Sequence, residues 1–221
     1  MASQAAKDWV LAIDGSQRDD PLVILVSTGG EVTWSAPSQV AAPVLVGTVR
    51  AALLGYRDRV GSVVAVRGPG SYMGVRSGLA AGLGAAQSLG CPLVLVGSLE
   101  VVAAQVDPSE EGVLALADAG RGGTFGQEMV RELGSRTTGR WQAGGCARLL
   151  GRESPWPDAW AELGLVVGAP GAGRQLPEGT NSISPMRDRQ MALAWVVSAG
   201  LVPISGYDQV TADYAEPVGA R

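Results

Sequence analysis

The chain has 221 residues, 46% hydrophobic and 17% charged, a balance that buries a good core and excludes disorder. Its net charge of −4 and pI of about 4.9 argue against a broad electrostatic surface for nucleic acid, so any RNA role needs a local basic patch or a partner that carries the RNA. It has no histidine, which removes Ser-His and Cys-His nucleophilic systems, imidazole metal sites and imidazole proton shuttles together.

Trp9 to Ile13 is a short apolar run ending in Asp14-Gly15-Ser16. Leu22 to Ser27 and Glu31 to Ser35 are strand-like and flank Thr28-Gly29-Gly30, a hairpin signal. The chain therefore opens on three strands of an antiparallel meander. From Gln39 to Gly55 the apolar spacing is helical, with Pro43 in its first turn. The opening MASQAAKDW lacks a signal-peptide apolar core, so Cys91 and Cys146 are expected to be reduced structural thiols of a cytoplasmic protein.

Ser62 to Val66 is a buried strand, broken by Gly68-Pro69-Gly70, and Ser71 stands where it would cap a helix from Tyr72 to Leu89. That helix carries Gly74, Gly78, Gly82 and Ala86 in four-residue steps, which fall on one face, with Ala81 and Ala85 on the adjoining row. Each interior glycine costs about 1 kcal/mol relative to alanine, so the stripe implies that something approaches the backbone closely. Arg76 and Gln87 interrupt the run and argue against a membrane span. Two readings remain, a helix packed on its own sheet and a helix packed on a partner subunit.

Pro92 to Val96 is the next strand, and Ser98 caps a helix running to Val106. A meander followed by β-α units describes the ribonuclease-H-like half of an actin-type fold. The polar Asp107 to Glu111 stretch marks a boundary. Gly112 to Ala117 then leads into Asp118-Ala119-Gly120-Arg121-Gly122-Gly123, with strands at Thr124 to Val130 and Arg136 to Trp141, a weak internal repeat of the opening. Cys146 to Leu150 and Asp158 to Leu163 are expected as short helices, Leu165 to Val167 as a strand, and Gln175 to Pro185 as an exposed segment. Arg187 to Leu201 reads as an amphipathic helix, and the last twenty residues as an extended tail. The expected division is residues 1–106 as a first lobe, 107–186 as a second, reduced lobe, and 187–221 as a helix and tail packed back on the body.

Gly68-Pro69-Gly70-Ser71-Tyr72-Met73-Gly74-Val75-Arg76 closely resembles the GPGSFTGLR signature of the bacterial TsaB (YeaZ) family. Ala12-Ile13-Asp14-Gly15-Ser16 resembles its AIDTS, and Val96-Gly97-Ser98-Leu99-Glu100 its VSSLE. Pro43 falls where the family has a proline, and Ala117-Asp118-Ala119 opens a stretch like its DARRGEVY. The likeness is strong from Trp9 to Gly123 and faint beyond. It implies an α/β, actin-like (ASKHA) two-lobed fold built from two ribonuclease-H-like subdomains. It also implies a part in making N6-threonylcarbamoyladenosine at tRNA position 37. In that apparatus TsaB-like proteins pair with a TsaD-like transferase, a TsaE-like ATPase joins the pair, and tRNA is met only through the complex.

The resemblance places the partner surface on Val44 and Thr48 of the first helix and on Tyr72, Gly74, Val75, Gly78, Ala81, Gly82, Ala85 and Ala86 of the second, and the same surface would support a homodimer in isolation. The catalytic sister family carries a metal-binding His-x-x-x-His where this chain has Ser98-Leu99-Glu100-Val101-Val102, so a scaffold without catalytic residues or metal is expected. Asp14, Ser16 and Asp118 stand where actin-like ATPases place their phosphate loops, and ATP or ADP with Mg²⁺ would bind there unless both loops are simple strand-to-turn junctions. Gly70 and Ser71 open either an anion-binding helix N-terminus or a capped turn. Arg76, one turn in, would meet an anion, a partner carboxylate or an acid of its own chain. The alternative function is an actin-like ATPase or phosphotransferase using Asp14 and Asp118. The chain also departs from the family pattern, with Gly15 and Met73 in place of threonines, Pro170 in place of an aspartate, and Pro37-Ser38 near an expected histidine.

Overall fold

A computed structural model describes residues 7–17, 19–36, 44–106, 109–131, 141–168, 171, 174–176, 178–199, 210–213 and 216–217. They divide into two compact units, one of residues 1–96 with 193–212 and one of residues 97–192 with 213–221.

In the first unit β1 (Trp9–Asp14), β2 (Leu22–Ser27) and β3 (Val32–Ser35) form the expected antiparallel meander. Helix α1 (Leu45–Leu53) and a 3-10 turn (Arg57–Arg59) lead into β4 (Val60–Val66), then α2 (Tyr72–Leu89) and β5 (Leu93–Val96). The strand order is β3-β2-β1-β4-β5, with β4 parallel to β1 and β5 parallel to β4. β1 is buried along its whole length, as an apolar central strand must be. Leu11, Ile13, Val63, Ala65 and Leu93 share one core with Leu45 and Val49 of α1 and Val75 and Leu79 of α2. Val210 and Ala212 of the tail pack against the same core. Arg59 clamps Asp8 at 2.9 Å and holds its carboxyl below the usual carboxylate range. The first five residues expected in α1, 39–43, lie outside the described residues.

The second unit holds α3 (Ser98–Ala103), β6 (Gly112–Gly120), β7 (Gly123–Arg131), β8 (Trp141–Ala143), β9 (Arg148–Leu150), α4 (Asp158–Glu162), β10 (Leu165–Gly168), β11 (Asn181–Ser182) and β12 (Glu216–Pro217). Its strands run β11-β10-β6-β7-β9-β12, with β8 also on β7. β10 is parallel to β6, β11 parallel to β10, and β7 antiparallel to both β6 and β9. With β6 standing for β1, β7 for β2, β9 for β3, β10 for β4 and β11 for β5, this is the order and direction of the first sheet. The internal repeat read from the opening residues thus extends to whole-sheet topology.

α3 packs on β6, β7, β8 and β10, which is why the units divide at Val96 and not at the polar stretch near residue 107. The short helix expected at Cys146 to Leu150 is instead a loop and strand β9, because Leu149 and Leu150 pair with Phe125 and Thr124 across the sheet. Of the strand expected from Arg136, only Trp141 is described, and it opens β8. Helix α5 (Arg189–Ser198) buries Ala192, Leu193, Val196 and Val197 and leaves Met191 exposed.

Candidate partner-binding surface

α2 is small on two opposite faces, and the structure separates their roles. Ser71 caps it, its hydroxyl accepting the Gly74 N–H at 3.4 Å, and Gly90 closes it in the left-handed conformation with φ of 60°. The row Gly74, Gly78, Gly82 lies on the helix's own sheet. Gly74 and Gly15 are in backbone contact, a Cβ at Gly78 would lie 3.3 Å from the Gly15 nitrogen, and one at Gly82 would lie 2.9 Å from Ala65 Cβ. This corrects the expectation of a partner against that stripe. The close approach demanded by the glycines is made by the strand-to-turn junction after β1 and by β4.

Val75, Ala85 and Ala86 are likewise buried in this core, as is Thr48, whose hydroxyl donates to the Val44 carbonyl one turn back in α1. Of the residues expected on the partner surface, Val44 and Tyr72 are exposed and Ala81 is half-buried.

The outward row is Arg76, Ala80, Gly84 and Ser88, again in four-residue steps and offset by two residues, which is about 200° around the helix. A Cβ at Gly84 would meet nothing within 4 Å. Between this row and α1 lies an open groove of about 750 Å³, lined by Val46, Leu54, Ala80, Ala81 and Gly84 among others, with Arg50 and Arg57 at its rim. Val46, Leu54, Tyr72 and Met73 are 54 to 77% exposed, unusual for so many large apolar side chains on two neighbouring helices. Arg76 stacks over the Tyr72 ring at 4.0 Å, a contact within its own helix that the sequence reading did not foresee. Two rows of small residues at the same spacing were visible in the sequence. Nothing in their periodicity says which one the sheet takes.

The two suspected phosphate loops are twin turns. Asp14 Oδ1 accepts the Ser16 N–H at 2.8 Å, and Asp118 Oδ1 accepts the Gly120 N–H at 2.7 Å. Asp14 is buried, at 1% exposure, and the Ser71 N–H donates to the Ser16 carbonyl at 2.7 Å while a Cβ at Gly70 would fall 2.5 Å from that oxygen. The second turn is a tight hairpin with Arg121 at φ 53° and Gly122 at φ 77°, both left-handed as a type I′ connection requires. Gly171 lies against its backbone and donates its N–H to buried Thr124 Oγ1 at 2.8 Å. One amide of each loop, that of Ser16 and that of Gly120, is thus already donated to the turn's own aspartate. Gly168 packs on β6 and Gly171 on the hairpin. Among the described residues no three of His, Cys, Asp and Glu gather as metal ligands. Cys91 and Cys146 are free thiols, and burial pushes the Cys91 thiol up. Among the described residues no helix is long and apolar enough to cross a membrane.

Two sheets of one strand order, each opening on a strand that ends in an aspartate-capped turn, define an actin-like two-lobed α/β protein built from two ribonuclease-H-like halves. The model of the family described as TsaD: tRNA N6-adenosine threonylcarbamoyltransferase matches residues 42–159, which is 118 of 221 residues. The chain belongs to this family. YeaZ from Pseudomonas aeruginosa shares the fold with a TM-score of 0.64 at 22% identity, over 94% of this chain and 99% of YeaZ. A second Pseudomonas aeruginosa structure, of an uncharacterized protein with similarity to peptidase YeaZ, has a TM-score of 0.64 at 20% identity, over 95% of this chain and all of its own. The family match and the shared fold bear out the TsaB (YeaZ) resemblance. None of the curated proteins compared with the chain matches it significantly.

Proposed function

We propose that this protein is a TsaB-like, non-catalytic partner subunit of the apparatus that makes N6-threonylcarbamoyladenosine at tRNA position 37. It binds a TsaD-like transferase through the groove between α1 and α2. A TsaE-like ATPase joins the pair, tRNA is reached through the complex, and in the absence of the transferase the same face supports a homodimer in the cytoplasm. The observation that carries this reading is the outward row of α2. Ala80 and Gly84 open the helix surface to a second backbone, and the exposed Val46 and Leu54 beside them are ready to be covered.

The alternative, an ATPase or phosphotransferase using Asp14 and Asp118, is the weaker reading because both carboxylates hold their own turns. Reconstituted tRNA modification with the organism's TsaD-like and TsaE-like proteins separates the two. Modification is expected to require this protein and to survive Asp14→Asn and Asp118→Asn, since asparagine keeps the Oδ1 acceptor that each turn uses. A fall of about a hundredfold or more in either variant, of the size seen when a catalytic group is removed, would instead place the chemistry in this chain.

A further inference from the structure

The outward face of α1 and α2 carries positive charge and no negative charge. Arg50 is the only charged residue of α1, and Arg76 the only one of α2. Arg57, in the 3-10 turn that follows α1, donates to the Ser88 carbonyl at 3.0 Å and to its hydroxyl at 3.2 Å, which fixes a guanidinium at the C-terminal end of α2. That end of a helix favours a cation. Among the described residues neither aspartate nor glutamate lines the groove between the helices. Arg50 is exposed and, among the described residues, has neither a hydrogen-bond nor an ion-pair partner. This patch belongs to a chain of net charge −4, so its sign is not a reflection of overall composition.

We propose that the groove selects a protein partner presenting an apolar helix face edged by carboxylates, which meet Arg50 and Arg57, and that this charge pattern favours such a partner over a second copy of the chain. The inference rests on the partner-subunit reading and adds to it the chemistry of the opposing surface. Among the described residues a second copy brings a groove lined by the same two arginines and no carboxylate, Asp58 of the 3-10 turn being the one acid beside them in sequence, so in a symmetric contact the groove offers Arg50 no acidic partner. A partner with acidic edges supplies the missing charge and also steers the encounter. Exposed Val46, Leu54, Tyr72 and Met73 distinguish a protein from a nucleic acid as occupant, since a phosphate backbone would engage the arginines and leave these side chains uncovered.

Isothermal titration of the protein with its own organism's TsaD-family transferase, at salt of about one Debye length of 10 Å and again at a few-fold shorter screening, tests this. The wild-type pair is expected to weaken on the order of tenfold as salt rises, while self-association of the wild type does not weaken. Arg50→Glu should weaken the pair on the order of tenfold at low salt and remove most of the salt dependence, and Arg50→Lys should restore both. Circular dichroism confirms that each variant is folded, which exposed Arg50 allows. A pair of equal affinity at both salts and untouched by Arg50→Glu overturns the charge selection and leaves the partner-subunit reading standing. A folded wild type that forms no pair overturns both. Binding of tRNA alone to the wild type, lost in Arg50→Glu, overturns the assignment to a protein partner.

Discussion

Gly74 and Gly84 sit in one helix with opposite requirements. Gly74 is in backbone contact with Gly15, and neither residue has a side chain that can give way. Gly84 has open space where a Cβ would stand. Gly74→Ala is therefore expected to cost about 1 to 3 kcal/mol through overpacking, and Gly84→Ala to add about 1 kcal/mol from helix propensity. Urea unfolding of the two variants checks this, and changes of the same sign in both would contradict the assignment of the two faces. Gly78→Leu, which the sequence alone suggests as a probe of partner binding, would strike the Gly15 backbone and report on folding instead. The polar counterpart is the aspartate of each turn, which accepts an amide two residues on and so ends its strand in the same way in both sheets.

The helices and loops differ between the two sheets. After β4 the chain builds α2 before returning in β5, whereas the described residues between β10 and β11 include no helix. In the second unit, side chains tie the loops together. Arg174 donates to the carbonyls of Gly151, Arg152 and Ser154 and lies over the Trp156 ring at 4.1 Å, and Trp156 in turn donates to the Gln175 carbonyl. A lysine has one point charge in place of that planar fork, so Arg174→Lys is expected to destabilise the second unit by about 1 to 3 kcal/mol. Hydrogen exchange should show faster opening in β9 and β10 with β1 and β4 unchanged, and uniform loss of protection across both sheets would contradict this division of labour. The meander was legible because its strands are apolar runs separated by glycine turns. β9 was not, because three residues bearing two leucines carry no period, and only the pairing with Phe125 and Thr124 makes them a strand. The glycine stripe gave the need for close approach correctly but not its object. Gly15, which receives it, lies some sixty residues earlier, a contact that no local pattern encodes.

The molecule repeats one strand order in two sheets, and among the described residues Val44, Val46, Leu54, Tyr72 and Met73, five of the eight large exposed apolar side chains, lie on or beside α1 and α2 of the first. Motif likeness identified the fold because GPGS, the two aspartate turns and the small-residue helix occur in order. The surface that matters for assembly depended on which side of α2 faces the sheet, and its arginine rim became visible only once α1 and the turn after it were placed beside α2. That this outward face, and not the glycine stripe, binds the partner is a proposal about the whole molecule. It is tested most directly by the light-scattering mass of the purified protein, alone and mixed with its own organism's TsaD-like transferase, for the wild type and for Gly84→Leu. Gly84→Leu should stay folded by circular dichroism, because its side chain enters open space, and should lose the 1:1 pair expected of the wild type. A folded Gly84→Leu variant that pairs as well as the wild type would contradict the claim.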